Sequence, residues 1–504
     1  MALRGSNGLA AWACALALAA CGRVDSPSSS AGRACDASPP PAGTAGAWAG
    51  DLASRPLPVW YDDAKLGIMI HWGPFAIPAW AERTLDPEVI FTDPSSPDYF
   101  LTPQGVGRFL RANPYSEWYR NSMAIEGSGT WAHHREAWGA DVPYERFGEM
   151  FGDGLSSWNP VEWSDLFRRA GARYVVLVTK HHDGYQLWPS DVAHAGREDW
   201  HAPRDVVGEL SRAVRGDCMR MGFYYSGGID WTFAPPPFAT VFDALRLTPQ
   251  GPEYAAFADA QWRELVDRYR PSVLWNDIDA PPGSAPESLF RDYYGIVPDG
   301  VVNDRWDGAK VGIHHDFTTS EFTVEPDIRT GKWEHVRGMA RGFGFNQQDR
   351  PEDYGPPGKF VRLLADVVSK NGNLLLNVGP RADGSIPDEQ RAILAELGDW
   401  LAVNGEAIYG TRPWTHFGGE TGDGLPVRFT RSASGDRVFA IVMGDPLRGV
   451  VTLPGLGFVP SRVRVLADGG RDAPFRVASG ALVVDLPDDL PSSAALVLAL
   501  DLPR

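Results

Sequence analysis

A (β/α) TIM-like barrel followed by a carboxy-terminal antiparallel β-sandwich is the fold class this sequence predicts, on three observations. First, from about residue 56 to 412, short apolar runs at 66–71, 174–178, 222–225, 273–275, 301–304 and 374–378 alternate with amphipathic stretches such as 253–269 and 359–370, the pattern of β/α units. Second, nearly every run ends in reactive or aromatic groups: His71-Trp72-Gly73, His181-His182-Asp183, Ser226-Gly227-Gly228, Asn276-Asp277 and Asn303-Asp304-Arg305-Trp306. A closed barrel gathers all such strand ends around one mouth, whereas an open sheet offers a single crevice. Third, after Trp414 the pattern changes to short alternating runs at 427–430, 438–442, 450–453, 463–466, 482–486 and 495–500, parted by Gly, Pro and Asp turns. These read as a sandwich over 413–504. With few aromatics and no reactive cluster, its expected role is structural.

The strand beginning at Tyr174 is the best signalled element. Tyr174-Val175-Val176-Leu177-Val178 is almost purely apolar and β-branched, as in strands buried on both faces. It breaks off into Thr179-Lys180-His181-His182-Asp183-Gly184-Tyr185, so polar and aromatic groups stand where barrel sites are built. In the helix before it, Asn159 is placed to cap, Pro160 suits the first position, Glu162 completes an Asn-x-x-Glu box, and Gly171 sits where a terminal glycine belongs. The paired imidazoles also raise metal binding. Adjacent residues at a strand end are expected to point to opposite sides, however, and no third or fourth ligand stands at metal-site spacing. Neither a metal nor a cofactor is expected, and no glycine-rich phosphate loop is present.

At the amino terminus Arg4 precedes an apolar stretch, 9–20, that is too short to span a membrane. It ends in Leu18-Ala19-Ala20-Cys21, which resembles a bacterial lipobox and implies cleavage before Cys21 and acylation of its thiol. An ordinary cleaved signal, with Cys21 incidental, is the alternative. The small residues directly before the cysteine and the Ser/Pro/Ala-rich tether at 22–55 favour the lipoprotein over residues 1–21. The expected location is the bacterial periplasm or cell surface, with membrane contact through the lipid anchor alone. Cys218 is the one cysteine outside signal and tether, so no cysteine metal site is expected.

Composition bounds the chemistry. The chain has 504 residues, 43% of them hydrophobic, enough for one large domain and a smaller one. Its 47 basic and 64 acidic residues give a net charge of −17, which repels nucleic acid and anionic membranes and suits a neutral ligand. Nineteen tryptophans are an unusual number; core packing accounts for many, and several stand beside polar clusters, where an indole can stack on a sugar ring.

Five blocks then carry a resemblance: 60–73 (Trp-Tyr-Asp-Asp-Ala-Lys-Leu-Gly-Ile-Met-Ile-His-Trp-Gly), Glu117-Trp118-Tyr119, Lys180-His181-His182-Asp183-Gly184, Trp275-Asn276-Asp277, and 370–380 (Lys-Asn-Gly-Asn-Leu-Leu-Leu-Asn-Val-Gly-Pro). In this order, and continuing into 404–410, they resemble the α-L-fucosidases of glycoside hydrolase family 29. The resemblance implies a barrel with a carboxy-terminal sandwich, no metal, and hydrolysis of terminal α-L-fucose from a fucosylated glycan or oligosaccharide with retained configuration.

Retention needs two carboxyl groups about 5 to 5.5 Å apart. Asp277 matches the family nucleophile in Trp-x-Asp, with Asp279 as a competitor and helix capping as the bland role. Glu321, in a segment resembling Thr-Pro-Glu-Tyr with Ser320 in place of the proline, matches an acid/base carried on a variable loop; Glu325 competes. Glu117 beside Trp118 matches a carboxylate that binds sugar hydroxyls. His71, His181 and His182 are expected to bond ring hydroxyls, Tyr224, Trp275 and Trp118 to add hydrogen bonds or stacking surface, Phe343 to lie against the C6 methyl, and Arg305 to hold a carboxylate ionised. The chain departs from the family at 278–282 (Ile-Asp-Ala-Pro-Pro) and in a long stretch, 83–116, expected to wall the aglycone subsites at the barrel mouth. A glycosidase for a related sugar such as galactose, and a surface lectin without turnover, remain open as alternatives.

Overall fold

The computed structural model describes residues 38–39 and 46–503, apart from 195, 198, 245, 308–311 and 445–448. The export signal, Cys21 and most of the tether lie outside the described residues. Eight parallel strands form one sheet: β1 (Leu66–Ile70), β2 (Tyr174–Lys180), β3 (Arg220–Ser226), β4 (Val273–Asp277), β5 (Val301–Val302), β6 (Thr318–Glu321), β7 (Trp333–Gly338) and β8 (Gly372–Val378). Their order, β5-β4-β3-β2-β1-β8-β7-β6, is the cyclic order of a TIM-like barrel whose ladder is interrupted between β5 and β6. Helices such as Pro160–Arg169, Val206–Gly216, Pro252–Tyr269 and Lys359–Ser369 supply the crossovers.

The helix before β2 ends as its sequence dictates. Asn159 accepts from the Val161 amide at 3.1 Å, Pro160 opens the helix, and Gly171 takes φ +89° just past its end. The Asn-x-x-Glu box takes a different form: the Asn159 amide donates to the Glu162 carboxylate at 3.1 Å, so the two side chains pair with each other. Strands β6 and β7 were not among the predicted runs. Thr318-Thr319-Ser320-Glu321 and Trp333-Glu334-His335-Val336-Arg337-Gly338 are too polar to read as buried strands, yet β7 is buried throughout.

Alternate residues of the strands face the barrel interior. Register pairs Gly67 with Tyr174 and Tyr224 with Trp275, and the interior is filled by Met69, Tyr174, Val176, Tyr224, Trp275, Val336 and Leu375. A Cβ at Gly67 would stand 2.4 Å from the Tyr174 ring, so only glycine fits there. Low in this interior Glu334 is fully buried and accepts from Tyr61, Tyr174 and the Trp275 indole, which satisfies a carboxyl that burial alone drives upward in pKa.

Side chains fill the β5–β6 seam: Asp304, just past β5, accepts from Thr319 N and Oγ1 of β6 at 3.0 and 2.8 Å, and Asp316, just before β6, bonds β5. The Asp316 amide donates to Val302 O at 2.9 Å, and its carboxylate accepts from Val302 N at 2.8 Å, Tyr294 OH at 2.8 Å and Arg55 at 2.7 Å. A side chain thus supplies the ladder partner that a two-residue strand lacks.

Beyond residue 410 the chain is antiparallel. A six-stranded sheet orders β14 (Arg471–Asp472), β13 (Arg462–Val465), β17 (Leu496–Asp501), β11 (Arg437–Val442), β10 (Pro426–Ser432) and β9 (Thr411–Glu420), and a three-stranded one orders β12 (Val450–Leu453), β16 (Ala481–Asp485) and β15 (Phe475–Ala478). Between them Val427, Phe429, Val438, Val451, Leu482, Val484 and Leu498 form their own core. The outer face of the larger sheet joins the barrel core through Phe439, Ile441 and Val497, pinned by Arg428 on Asp366 at 2.5 Å and by Trp400 donating to Ala495 O at 2.9 Å.

Asp316→Ala strips Val302 N of its acceptor and leaves Arg55, whose side chain is 5% exposed, without its counter-charge. Denaturant unfolding is expected to show a loss of about 3–5 kcal/mol.

Candidate active site

All eleven site residues drawn from the sequence converge on one cavity of about 350 Å³ at the carboxyl ends of the strands: His71, Glu117, Trp118, His181, His182, Tyr224, Trp275, Asp277, Arg305, Glu321 and Phe343. The inner-face alternation that places Trp275 in the core delivers Asp277, two residues on, to the mouth. Glu321 closes β6 in the same way. That corrects the expectation that it rides on a loop.

Arg305 lies between the two carboxyl groups. Its guanidinium donates to Asp277 Oδ1 at 2.8 Å and to Glu321 Oε2 at 3.3 Å. Thr319 Oγ1, 2.9 Å from Arg305 Nε, and the Trp275 ring, 4.6 Å beneath the guanidinium, hold it in place. Tyr224 donates to Asp277 Oδ2 at 2.6 Å, and Tyr115 to Glu321 Oε1 at 3.1 Å. Burial raises both carboxyl pKa values. At Asp277 the charge of Arg305 and the Tyr224 bond overcome burial and hold the group below its ordinary value. At Glu321 burial prevails over the more distant Arg305, with repulsion from Asp277 added, and the pKa stays raised. The two carboxyl groups are therefore shifted in opposite directions, Asp277 toward the ionised form and Glu321 toward the protonated one. Glu117 is a third, driven by burial to about 7 although it accepts from Gly344 N at 2.8 Å.

The competitors fall away. Ile278 and Asp279 both take left-handed φ, +54° and +67°, which swings the chain out of the strand and leaves Asp279 exposed. A Cβ at Gly228 would lie 1.3 Å from Ile278 O, so this turn depends on the glycine packed against it. Glu325 does not line the cavity and pairs with Arg329 at 2.8 Å.

The two adjacent histidines do not point apart. Both rings line the cavity with centroids 4.0 Å apart, because β2 shifts register between Val178 and Lys180 and has ended before them. No His/Cys/Asp/Glu cluster able to hold a metal occurs among the described residues. Burial depresses all three imidazoles, His71 and His182 to about 4 and His181 well below its ordinary value, so they are neutral at pH 7.

Two tautomers follow from the surrounding bonds. The Asn377 amide donates to Phe343 O at 2.6 Å, so its carbonyl oxygen faces His71 Nδ1 at 2.6 Å and that nitrogen must carry the proton. Ser226 spends its hydroxyl proton on Ile229 O and so accepts from His182 Nδ1, 2.6 Å away. In both rings Nε2 keeps a lone pair that can accept from a hydroxyl. His181 Nδ1 is buried without a protein partner.

Tyr115, Asn377 and Ser226 bond the site residues in roles that the sequence reading did not assign. A lone polar residue inside Leu374-Leu375-Leu376-Asn377-Val378 was the available signal for Asn377. Tyr115 carried none, since its partner Glu321 is 206 residues away. The stretch 83–116 holds two short helices, Pro87–Thr92 and Pro103–Arg111, and adds Phe91, Phe100, Val106, Phe109 and Leu110 to the cavity lining. Asn377→Leu is expected to replace the single Nδ1–H tautomer of His71 with a mixture, read by ¹⁵N NMR of the imidazole, and to cost about 1–3 kcal/mol in stability.

Known proteins are similar to this chain in sequence and fold. The family model described as alpha-L-fucosidase matches residues 43–406. The tissue alpha-L-fucosidase of Homo sapiens is 33% identical over 420 residues, covering 80% of this chain and 79% of that protein. The alpha-L-fucosidase of Dictyostelium discoideum is 30% identical over 417 residues, covering 80% and 81%. Among solved structures, the Thermotoga maritima alpha-fucosidase in complex with fucose is 39% identical, with a TM-score of 0.77 over 89% of this chain and 98% of that one. With the family match spanning well over half of its residues, this chain belongs to the α-L-fucosidase family of glycoside hydrolases.

Proposed function

We propose that this protein is a retaining exo-α-L-fucosidase working by double displacement, with Asp277 as nucleophile and Glu321 as acid/base. The observation that carries this reading is the placement of Arg305 between two buried carboxyl groups, 2.8 Å from Asp277 and 3.3 Å from Glu321, which favours the ionised form at Asp277 while burial raises the pKa of Glu321. In the first step an Asp277 oxygen attacks the anomeric carbon while Glu321 gives its proton to the glycosidic oxygen. The bond to the aglycone breaks and a fucosyl ester of Asp277 forms. Glu321, now ionised, takes a proton from water, whose oxygen attacks the same carbon and releases Asp277. Two inversions give net retention.

The neutral histidines suit this chemistry. Nε2 of His71 and of His182 accepts from sugar hydroxyls, as the Asn377 and Ser226 bonds dictate, while Glu117 and Trp118 take the remaining polar edge. Phe343 stands 5.0 Å from the His71 ring and offers a phenyl face to the C6 methyl. A hydroxymethyl at that position, as in galactose, would bury an oxygen against the ring.

We further propose that the protein is exported in a bacterium and held at the periplasmic face or cell surface by acylated Cys21, on the strength of Leu18-Ala19-Ala20-Cys21. Fatty-acid labelling that disappears in Cys21→Ser, with release of the protein from the membrane fraction, is the expected result.

Wild-type protein is expected to release the aryl group from an aryl α-L-fucoside and not from the β-D-galactoside. Asp277→Ala is expected to lose at least about a thousandfold in kcat. Azide added to that variant should restore release and yield the inverted fucosyl azide. No rescue would remove Asp277 from the nucleophile role, and binding of fucose without any release would favour the lectin. The profile of kcat/KM against pH should be a bell. Its acid limb falls as Asp277 is protonated, below the ordinary carboxylate range, and its basic limb falls as Glu321 loses its proton, above that range.

A further inference from the structure

We propose that the leaving-group side of the cavity is a subsite for an apolar aglycone, an alkyl or aryl group joined to the fucose; this rests on the reading of the protein as an α-L-fucosidase with Glu321 as its acid. The cavity has two chemically different halves. One carries the carboxyl groups, imidazoles and Arg305. The other is built from Phe91, Phe100, Val106 and Phe109 of the 83–116 stretch and from Leu247, none of which has a polar side-chain atom.

Glu321 marks which half meets the leaving group. The acid must stand beside the glycosidic oxygen, so the departing group lies on the side of Glu321 away from Asp277. On that side Tyr115, which donates to Glu321, packs edge-on against Phe109 at 5.6 Å. The next residue in the chain, Phe322, lies parallel to Phe91 at 6.0 Å, and Phe91 in turn touches Phe100 at 5.3 Å. A wall of phenyl rings thus begins at the acid and runs outward.

A second observation extends the wall to solvent. Leu101 and Phe242 are 76% and 77% exposed. They belong to the two segments that supply the apolar lining, and helix Val241–Ala244 packs against Pro103–Arg111. Exposed hydrophobics beside an apolar cavity mark a place where a ligand finishes the burial.

The chemistry of the wall selects its occupant. A second sugar would bring hydroxyls that lose water here and find no donor or acceptor among these side chains. An alkyl chain or aryl ring loses nothing on entry and gains with every buried carbon.

The test is a series of methyl, butyl and octyl α-L-fucosides alongside a fucosyl disaccharide, with wild type and with Leu247→Asn and Phe100→Asn. In wild type kcat/KM is expected to rise with chain length, by up to about fourfold per buried methylene, and the octyl fucoside should be preferred to the disaccharide. Either substitution should flatten the series while leaving the methyl fucoside within about twofold. Equal kcat/KM along the series, or preference for the disaccharide, overturns the subsite. Calorimetry with methyl and octyl 1-thio-α-L-fucosides reads the same wall without turnover. Tighter octyl binding that Leu247→Asn removes supports the subsite even where no fucoside is hydrolysed, an outcome that would count against the catalytic reading alone; equal affinities overturn the subsite.

Discussion

One guanidinium makes this site possible. Two carboxyl groups buried in the same cavity repel one another and lose water, and both effects favour the protonated form over the ionised one that a nucleophile needs. Arg305 bonds both, at 2.8 Å to Asp277 and 3.3 Å to Glu321, and the difference between those contacts, reinforced by Tyr224 on Asp277 alone, lowers the pKa of Asp277 while that of Glu321 stays raised. The cation is held by contacts on every side that the substrate leaves: Thr319 at its Nε, Trp275 beneath it, and the seam of the barrel behind it. Where β5 stops after two residues, the chain is free to leave the sheet and carry Arg305 across the mouth. The interrupted ladder that Asp316 repairs is therefore the feature that gives the site its cation.

The alternation of side chains along the strands connects the barrel floor to the chemistry. Glu334, buried at the bottom, accepts from the Trp275 indole at 2.9 Å; Trp275 stacks on Tyr224 at 5.4 Å and supports Arg305; Tyr224 and Arg305 bond Asp277. A carboxyl with three donors thus orients the ring on which both partners of the nucleophile rest. This is how a barrel interior acts as a rigid platform, since each layer of side chains is locked by the one below.

The same dryness that raises carboxyl pKa values keeps the imidazoles neutral, and neutrality gives them a use that a cation lacks. A protonated histidine only donates, whereas His71 and His182, with Nδ1–H spent on Asn377 and Ser226, can each accept at Nε2. Burial, which costs stability at every one of these groups, is what sets their chemical character.

The sequence by itself was enough for the barrel and the antiparallel region that follows it, because apolar runs at fixed periods and turn residues between them are local signals. It was enough as well to name the eleven residues that line the cavity, seven of them in the ordered blocks and Tyr224, Arg305, Glu321 and Phe343 outside those blocks. It did not reveal the half-buried β6 or the buried β7, since polar residues such as Glu334 find their partners far away in the chain. It favoured Asp277 over Asp279 and Glu321 over Glu325 without showing which groups hold them. Such partners come from far along the chain, as Tyr115 does for Glu321, 206 residues apart, and Tyr61 for Glu334, 273 apart. The facing of His181 with His182 and the tautomers of His71 and His182 belong to the tertiary structure for the same reason: a proton's position is set by the nearest acceptor in space, and proximity in space is what folding adds to a sequence.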